Sequence, residues 1–210
     1  MRHIILSLML LLFSTNSFAI TIEDERDYGI PKPNPDLKIL SSTDVELFQS
    51  VLEAFSTKNP NVNIKYQVAS TKDIFETVKN KQQGYDLIMS SAMDLQMKLA
   101  NDGLGQPIDL PPNIRVPDWS KWQNTIFGFS LEPIGIVVSR EHPIMSSIPN
   151  DRRSLVSFLR ENSSELRGKI VTYDVSTSGA GFLFATQDER QSNSYWRMAE
   201  VMGSLNASLY

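Results

Sequence analysis

The chain has 210 residues, of which 41% are hydrophobic and 21% are charged, and its formal net charge is −4 at pH 7. This composition is typical of a globular protein and argues against a disordered, collagen-like or coiled-coil chain. The negative balance disfavours nucleic acid as a partner, and the absence of cysteine excludes disulfides, zinc–thiolate sites and thiol nucleophiles.

The first nineteen residues have the pattern of a secretory signal peptide. Residues 1–3 are a short basic start, residues 4–13 are an apolar run, and the small residues Ser17 and Ala19 follow. The run is short for a membrane span, which needs about 20 residues. We therefore expect cleavage after Ala19 and a periplasmic location, with an uncleaved N-terminal anchor as the alternative.

Residues 20–36 are polar and contain Pro31, Pro33 and Pro35. Proline at alternate positions prevents a helix and favours an extended chain. We predict a flexible lead-in over these residues.

From residue 37 to about residue 101 the pattern alternates between strand and helix. Thr43 and Glu46 are predicted to form a capping box at the start of the first helix, which ends near Lys58. Ser70 and Thr71 are predicted to cap the second helix. Such alternation with short connections predicts a parallel sheet with helices packed on its faces. The strands are predicted at residues 37–40, 62–68 and 85–89.

The second half of the chain shows a looser version of the same pattern. Prolines predict loops around residues 107–117 and 143–149, and the apolar run at residues 134–138 predicts a strand. The later elements are predicted as a helix capped by Asn150 or Asp151, a strand at residues 169–173, a Ser/Gly-rich turn at residues 174–181, and helices that begin near Phe182 and near Tyr195.

Small hydroxyl residues follow three of the predicted strands. In an open α/β sheet the ligand crevice lies at the carboxyl ends of the strands, where helix N-termini present free N–H groups. Hydroxyl groups placed there can donate to an anion, so a small anionic ligand is predicted to bind without basic side chains. The alternative for each group is that it only caps a helix. The residues are Ser41, Ser42 and Thr43, then Ser90 and Ser91, then Ser176, Thr177, Ser178 and Gly179.

The order of these motifs resembles that of bacterial periplasmic solute-binding proteins. The resemblance rests on residues 85–88 before Ser90 and Ser91, on residues 166–170 before a strand, and on Asp174 before residues 178–181. The iron(III)/phosphosugar type is the most similar group, and within it the proteins of phosphoglycerate transport. The resemblance covers roughly residues 37–210.

The resemblance implies an α/β, two-lobe fold of the type II periplasmic-binding kind, with the first lobe at residues 37–130 and the second at residues 131–210. The crossing strand would lie near residues 129–133. The first two clusters of hydroxyl residues, at positions 41–43 and 90–91, would line one wall of the cleft. The third cluster, at positions 176–179, would line the other wall. The implied partners are a small anionic solute and a transporter permease or a sensor kinase.

The resemblance also leaves two points open. Family members are longer than this chain, so the second lobe is expected to be incomplete. Iron-binding relatives hold the metal through tyrosines placed later than residue 210, so the choice between iron and an organic anion stays open. No cofactor and no catalysis are predicted.

Two other functions are considered for the chain. A secreted hydrolase would use Ser178 or Ser90 as nucleophile and His142 as base, but neither serine lies in the Gly-x-Ser-x-Gly pattern. A truncated relative without function is the other alternative. Met93, Met97, Met198 and Met202, at helical spacing, are interpreted as core residues rather than metal ligands.

Overall fold

The computed structural model describes residues 20–33, 35–81, 84–131, 134–143 and 147–210. The predicted signal peptide and residues 132–133 of the predicted crossing strand lie outside these ranges. The strands are β1 (Asp24–Tyr28), β2 (Leu37–Ser41), β3 (Ile64–Val68), β4 (Leu87–Met89), β5 (Lys121–Trp122), β6 (Ile126–Phe127), β7 (Val171–Thr172) and β8 (Ser208–Leu209). The helices are α1 (Val45–Lys58), α2 (Thr71–Lys79), α3 (Met93–Asn101), α4 (Arg152–Glu161), α5 (Ser163–Leu166), α6 (Gly179–Gln191) and α7 (Tyr195–Ser204).

Strands β1 to β4 form one sheet in the order β1-β3-β2-β4. Both β3 and β4 pair parallel to β2, whereas β1 is antiparallel to β3. The β2-α1-β3-α2-β4-α3 succession confirms the predicted alternation. Because the three parallel strands point the same way, their carboxyl ends meet at one edge of the sheet.

Helices cover this sheet on two sides, as the apolar pattern of the central strands requires. Ile39 and Leu40 are adjacent in β2, point to opposite faces and are both buried. Ile39 packs in a cluster with Val45 and Leu52 of α1, and Leu40 packs in another with Ile74 of α2. The first unit of the chain, which we call the N-terminal unit (residues 20–101), is therefore a sheet between helical layers.

The predicted flexible lead-in is wrong for residues 24–28, which form β1. These residues pair with β3 from Asp24 opposite Val68 to Tyr28 opposite Ile64. The strand lies at the edge of the sheet and buries only Tyr28, so its sequence is polar and lacks apolar alternation. The three prolines that suggested a lead-in all follow the strand.

A second set of helices has its own apolar cluster, formed by Leu155, Val156, Leu166, Met198, Val201 and Leu205. We call residues 147–210 the C-terminal unit. Asp151 caps α4 as predicted, because its carboxylate accepts a hydrogen bond of 3.0 Å from the Ser154 amide. β7 and β8 pair parallel in a two-stranded sheet. The two units thus have separate apolar clusters, whereas the two-lobe arrangement, its boundaries and its hinge stay predictions.

The strand predicted at residues 134–138 is absent, and Val137 is 95% exposed. A strand is stabilised mainly by pairing and by packing of its side chains against neighbours. No described strand pairs with these residues. An apolar β-rich composition is therefore insufficient to form a strand here. Residues 129–131, at the start of the predicted crossing strand, are not a strand either.

Two local predictions in the N-terminal unit also require correction. Asp44, not Thr43, precedes α1, and no side-chain hydrogen bond caps this helix. Met93 is 65% exposed rather than part of the core, because it is the first residue of α3. Met198 is buried as predicted. None of the helices in the described ranges combines the length and the apolar character that crossing a membrane requires.

Candidate functional site

The first two clusters of hydroxyl residues, at positions 41–43 and 90–91, meet at the carboxyl edge of the sheet. Ser42 and Ser91 follow the neighbouring parallel strands β2 and β4, and the Ser42 hydroxyl oxygen accepts a hydrogen bond of 3.1 Å from the Ser91 amide. The Ser42 amide donates to the Met89 carbonyl at 3.0 Å. The structure thus brings these two groups together, as their topology predicts.

In both clusters, side-chain hydroxyl oxygens accept hydrogen bonds from the backbone that leads into α1 and α3. Ser41 is fully buried, and its hydroxyl oxygen accepts a hydrogen bond of 2.9 Å from the Thr43 amide. The Ser90 hydroxyl oxygen accepts one of 3.2 Å from the Ala92 amide, just before α3. These bonds fit the capping alternative, because each satisfies an N–H group close to a helix start.

The third group forms a tight turn around Asp174. Both the amide and the hydroxyl of Ser176 donate to one Asp174 carboxylate oxygen, at 2.8 and 2.6 Å. The Ser176 hydroxyl and amide, in that order, lower the pKa of Asp174 because they stabilise its ionised form. The Ser178 hydroxyl oxygen accepts a hydrogen bond of 3.0 Å from the Gly181 amide and so caps α6. Helix α6 begins at Gly179, earlier than the predicted start near Phe182.

The third group touches the N-terminal unit directly. The Gly179 amide donates a hydrogen bond of 2.8 Å to the hydroxyl oxygen of Thr71, the first residue of α2. A methyl group at Gly179 would lie 2.7 Å from that oxygen and 3.0 Å from Cβ of Ala92. The start of α6 therefore lies against the starts of α2 and α3. The sequence pattern predicts only a capping role for Thr71, although this residue follows the end of β3 closely.

A small hollow of about 160 Å³ opens beside this contact. Lys72 and Asp94, the second residues of α2 and α3, contribute opposite charges to it, and Leu95, Val175 and Phe182 make it partly apolar. Lys72 corrects the expectation of a site without basic side chains. The predicted residues that line the hollow are Ser176, Thr177, Ser178 and Gly179.

The other predicted residues do not line this hollow. These residues are Ser41, Ser42, Thr43, Ser90 and Ser91. The hydroxyls of Ser41, Ser42 and Ser90 instead accept hydrogen bonds from the backbone at the strand ends and before α3. Their direct contact with a ligand stays a prediction.

A larger hollow of about 390 Å³ lies in the loop and hairpin after α3. Most of its lining residues are exposed, and none belongs to the three hydroxyl groups. Its Lys121 ammonium lies 3.6 Å from the Asp118 carboxylate, and its Asn124 amide faces Asp109 at 3.5 Å. Because these polar side chains already have neighbours, and because none of the lining residues follows a parallel strand of the sheet, it is the weaker candidate despite its size.

The described residues also include no group of three or more histidine or acidic side chains that could hold a metal ion.

The chain is similar to a solved crystal structure, that of the substrate binding protein of the ABC transporter from Agrobacterium tumefaciens. The two chains share 28% sequence identity with a TM-score of 0.77, and the match covers 91% of this chain and 58% of that one. The chain thus spans little more than half the length of that protein. Neither a protein-family model nor a curated protein matches the chain.

The likeness confirms the predicted α/β class and the predicted similarity to solute-binding proteins. The similar protein is a binding protein and not an enzyme, in agreement with the prediction that this chain is not an enzyme. The similarity to proteins of phosphoglycerate transport in particular stays a prediction.

Proposed function

We propose that this chain is an exported solute-binding component of an ABC-type transport system. It captures a small anionic organic solute in the hollow between the starts of α2 and α3 and the turn at residues 174–179. The proposal rests above all on the hydrogen bond from the Gly179 amide to Thr71. Through this bond the third cluster of hydroxyl residues, at positions 176–179, contacts the N-terminal unit. Likeness to a transporter's substrate binding protein supports the transport role.

The chemistry of the hollow favours an anion. Helices α2, α3 and α6 all begin around it, and a helix N-terminus carries free N–H groups and roughly half a positive charge. The Lys72 ammonium adds a full positive charge, and the Ser178 hydroxyl, whose oxygen accepts from the Gly181 amide, keeps its proton to donate. A carboxylate or phosphate placed here would receive several hydrogen bonds from donors that are already oriented.

Binding requires no bond to be made or broken. A solute that contacts both Lys72 of the N-terminal unit and Ser176 of the C-terminal unit would stabilise the arrangement in which the two units touch. It would shift the population toward that arrangement by its extra affinity for it. The Gly179–Thr71 bond is one contact that such an arrangement contains. A permease that recognises the closed form would then receive the solute, and a sensor kinase is the alternative receiver.

A phosphorylated three-carbon acid is the solute class that the motif order favours. Such a molecule carries two acidic groups and fits the size of the hollow better than a phosphorylated hexose. The hydrolase alternative gains no support, because the Ser178 hydroxyl is engaged with the Gly181 amide as a helix cap.

Isothermal titration of the full chain tests the proposal, with 3-phosphoglycerate, 2-phosphoglycerate and glucose 6-phosphate as anionic probes and glycerol as the neutral probe. We expect saturable heat with at least one anion, none with glycerol, and weaker binding at high salt. Ser178→Ala, which removes the cap of α6, should weaken binding. Ser163→Ala, at the start of α5 and outside the hollow, is the matched control. Absence of heat with every anion would overturn the proposal.

A further inference from the structure

Among the described residues, one enclosed carboxylate oxygen without a hydrogen-bond partner belongs to Asp94, a residue that lines the hollow. Four enclosed side-chain atoms in the described part of the chain lack a hydrogen bond, and Oδ1 of Asp94 is the one that belongs to a carboxylate. Enclosed polar groups in folded proteins nearly always find a partner, and a carboxylate oxygen has the strongest need of one. An unexplained acceptor of this kind points to a ligand donor.

The position of Asp94 relates it to the proposed solute. Asp94 lines the hollow together with Lys72, yet neither residue forms an ion pair with any described residue. The hollow thus offers a positive donor and a negative acceptor that do not satisfy each other. Leu95 and Phe182 add apolar surface to the same hollow.

We infer that the solute carries a hydrogen-bond donor, a hydroxyl or an ammonium group, which binds Asp94 while its acidic group faces Lys72 and the start of α6. This inference rests on the proposed function and adds the class of solute: a hydroxy acid or an amino acid rather than a plain acid. A plain acid would leave Asp94 unpaired and would add a like charge beside it. Asp94 therefore selects against acids that lack a hydrogen-bond donor.

Three probes of one carbon skeleton test this by isothermal titration: 3-phosphoglycerate with a hydroxyl, phosphoserine with an ammonium group, and 3-phosphopropionate with neither. For the full chain we expect 3-phosphopropionate to bind roughly 10-fold to 100-fold more weakly than the better of the other two, as expected for loss of a hydrogen bond to a charged group. Which of the two donors binds better identifies a hydroxy acid or an amino acid.

The Asp94→Asn variant should reduce this discrimination, and most of all for phosphoserine, because an amide cannot balance the ammonium charge. Asp73→Asn is the matched control, since Asp73 lies in the first turn of α2 but does not line the hollow. It should keep the full discrimination.

Equal affinity of the unsubstituted chain for all three probes would overturn the inference and leave the proposed function standing. No binding by any anionic probe would instead overturn the proposed function, and the inference with it. The ranking of the three probes is measured on the unsubstituted chain, so a folding defect of Asp94→Asn cannot obscure it.

Discussion

The Gly179 amide and the Thr71 hydroxyl oxygen lie 2.8 Å apart, although the two residues are 108 positions apart in the chain. The bond joins the first residue of α6 to the first residue of α2, and so links two units whose apolar clusters are separate. It also forms one side of the hollow proposed as the binding site. Substitutions at these two residues therefore test both the packing and the proposed function.

Gly179→Ala should destabilise the protein. The added methyl group would lie 2.7 Å from Thr71 Oγ1 and 3.2 Å from Cδ1 of Leu95, so α6 would have to move away from α2 and α3. Overpacking of this kind costs about 1–3 kcal/mol. Urea unfolding followed by circular dichroism measures the change in the free energy of unfolding.

Gly203→Ala is the matched control, because Gly203 lies within α7 and a methyl group there meets nothing within 4 Å. Alanine is the better helix former, so this variant should be more stable by about 0.5–1 kcal/mol. Equal effects of the two substitutions would show that the contact of α6 with α2 and α3 does not form in solution.

Thr71→Val should remove the acceptor of the Gly179 amide without changing the shape of the side chain. We expect a loss of about 1 kcal/mol, the usual contribution of such a hydrogen bond, since the amide would lose its partner. Thr77→Val is the control, because Thr77 is buried in the same helix and forms no side-chain hydrogen bond with a described residue. Its effect should be near zero or stabilising. A Thr71→Val variant as stable as Thr77→Val would contradict the account.

Arg152→Gln should weaken the contact of α4 with α6. Its guanidinium donates two hydrogen bonds to the Asp188 carboxylate, one of them at 2.6 Å, and both side chains are about one-third exposed. A two-pronged pair at this exposure contributes about 1 kcal/mol, and high salt should reduce the difference. Arg153→Gln, at an exposed neighbour in α4, should change the free energy of unfolding by less than about 0.5 kcal/mol.

Acid should destabilise the folded chain, in part through Asp174. Hydrogen bonds from Ser176 lower the pKa of this carboxyl in the folded state, so the unfolded chain takes up its proton first as the pH falls. The stabilisation is complete well above the unfolded pKa of about 3.9 and is lost as the pH falls below it, through the lower folded pKa. Asp174→Asn keeps the acceptor oxygen but does not titrate. Its melting temperature should therefore fall less steeply over this range, and an unchanged slope would contradict the assignment.

The elements that follow from short-range patterns were predictable from the sequence. Alternation marked β3, where Ile64, Tyr66 and Val68 are all buried, and the Asp151 cap marked the start of α4. β1 was not predicted, because an edge strand buries few of its side chains and can therefore have a polar sequence. The strand predicted at residues 134–138 was wrong, because their composition suits a strand but no described strand pairs with them.

The candidate site was predictable only in part, because several of its residues are brought together by packing between distant parts of the chain. The third cluster of hydroxyl residues, at positions 176–179, was identified because it follows a strand and precedes a helix within a few residues. Thr71, Lys72 and Asp94 gain their role from the way α6 packs against α2 and α3, which joins residues about a hundred positions apart. No local pattern in the sequence carries that information.

The most direct test of the central claim is a ¹H–¹⁵N nuclear magnetic resonance titration of the full chain with 3-phosphoglycerate. We predict saturable shifts of the amide signals of residues 176–181, 71–73 and 93–95, which surround the hollow, with little change near Arg115 and Lys121 in the larger hollow. Shifts confined to Arg115, Lys121 and their neighbours, or no saturable shifts at all, would contradict the claim that the starts of α2, α3 and α6 hold the solute.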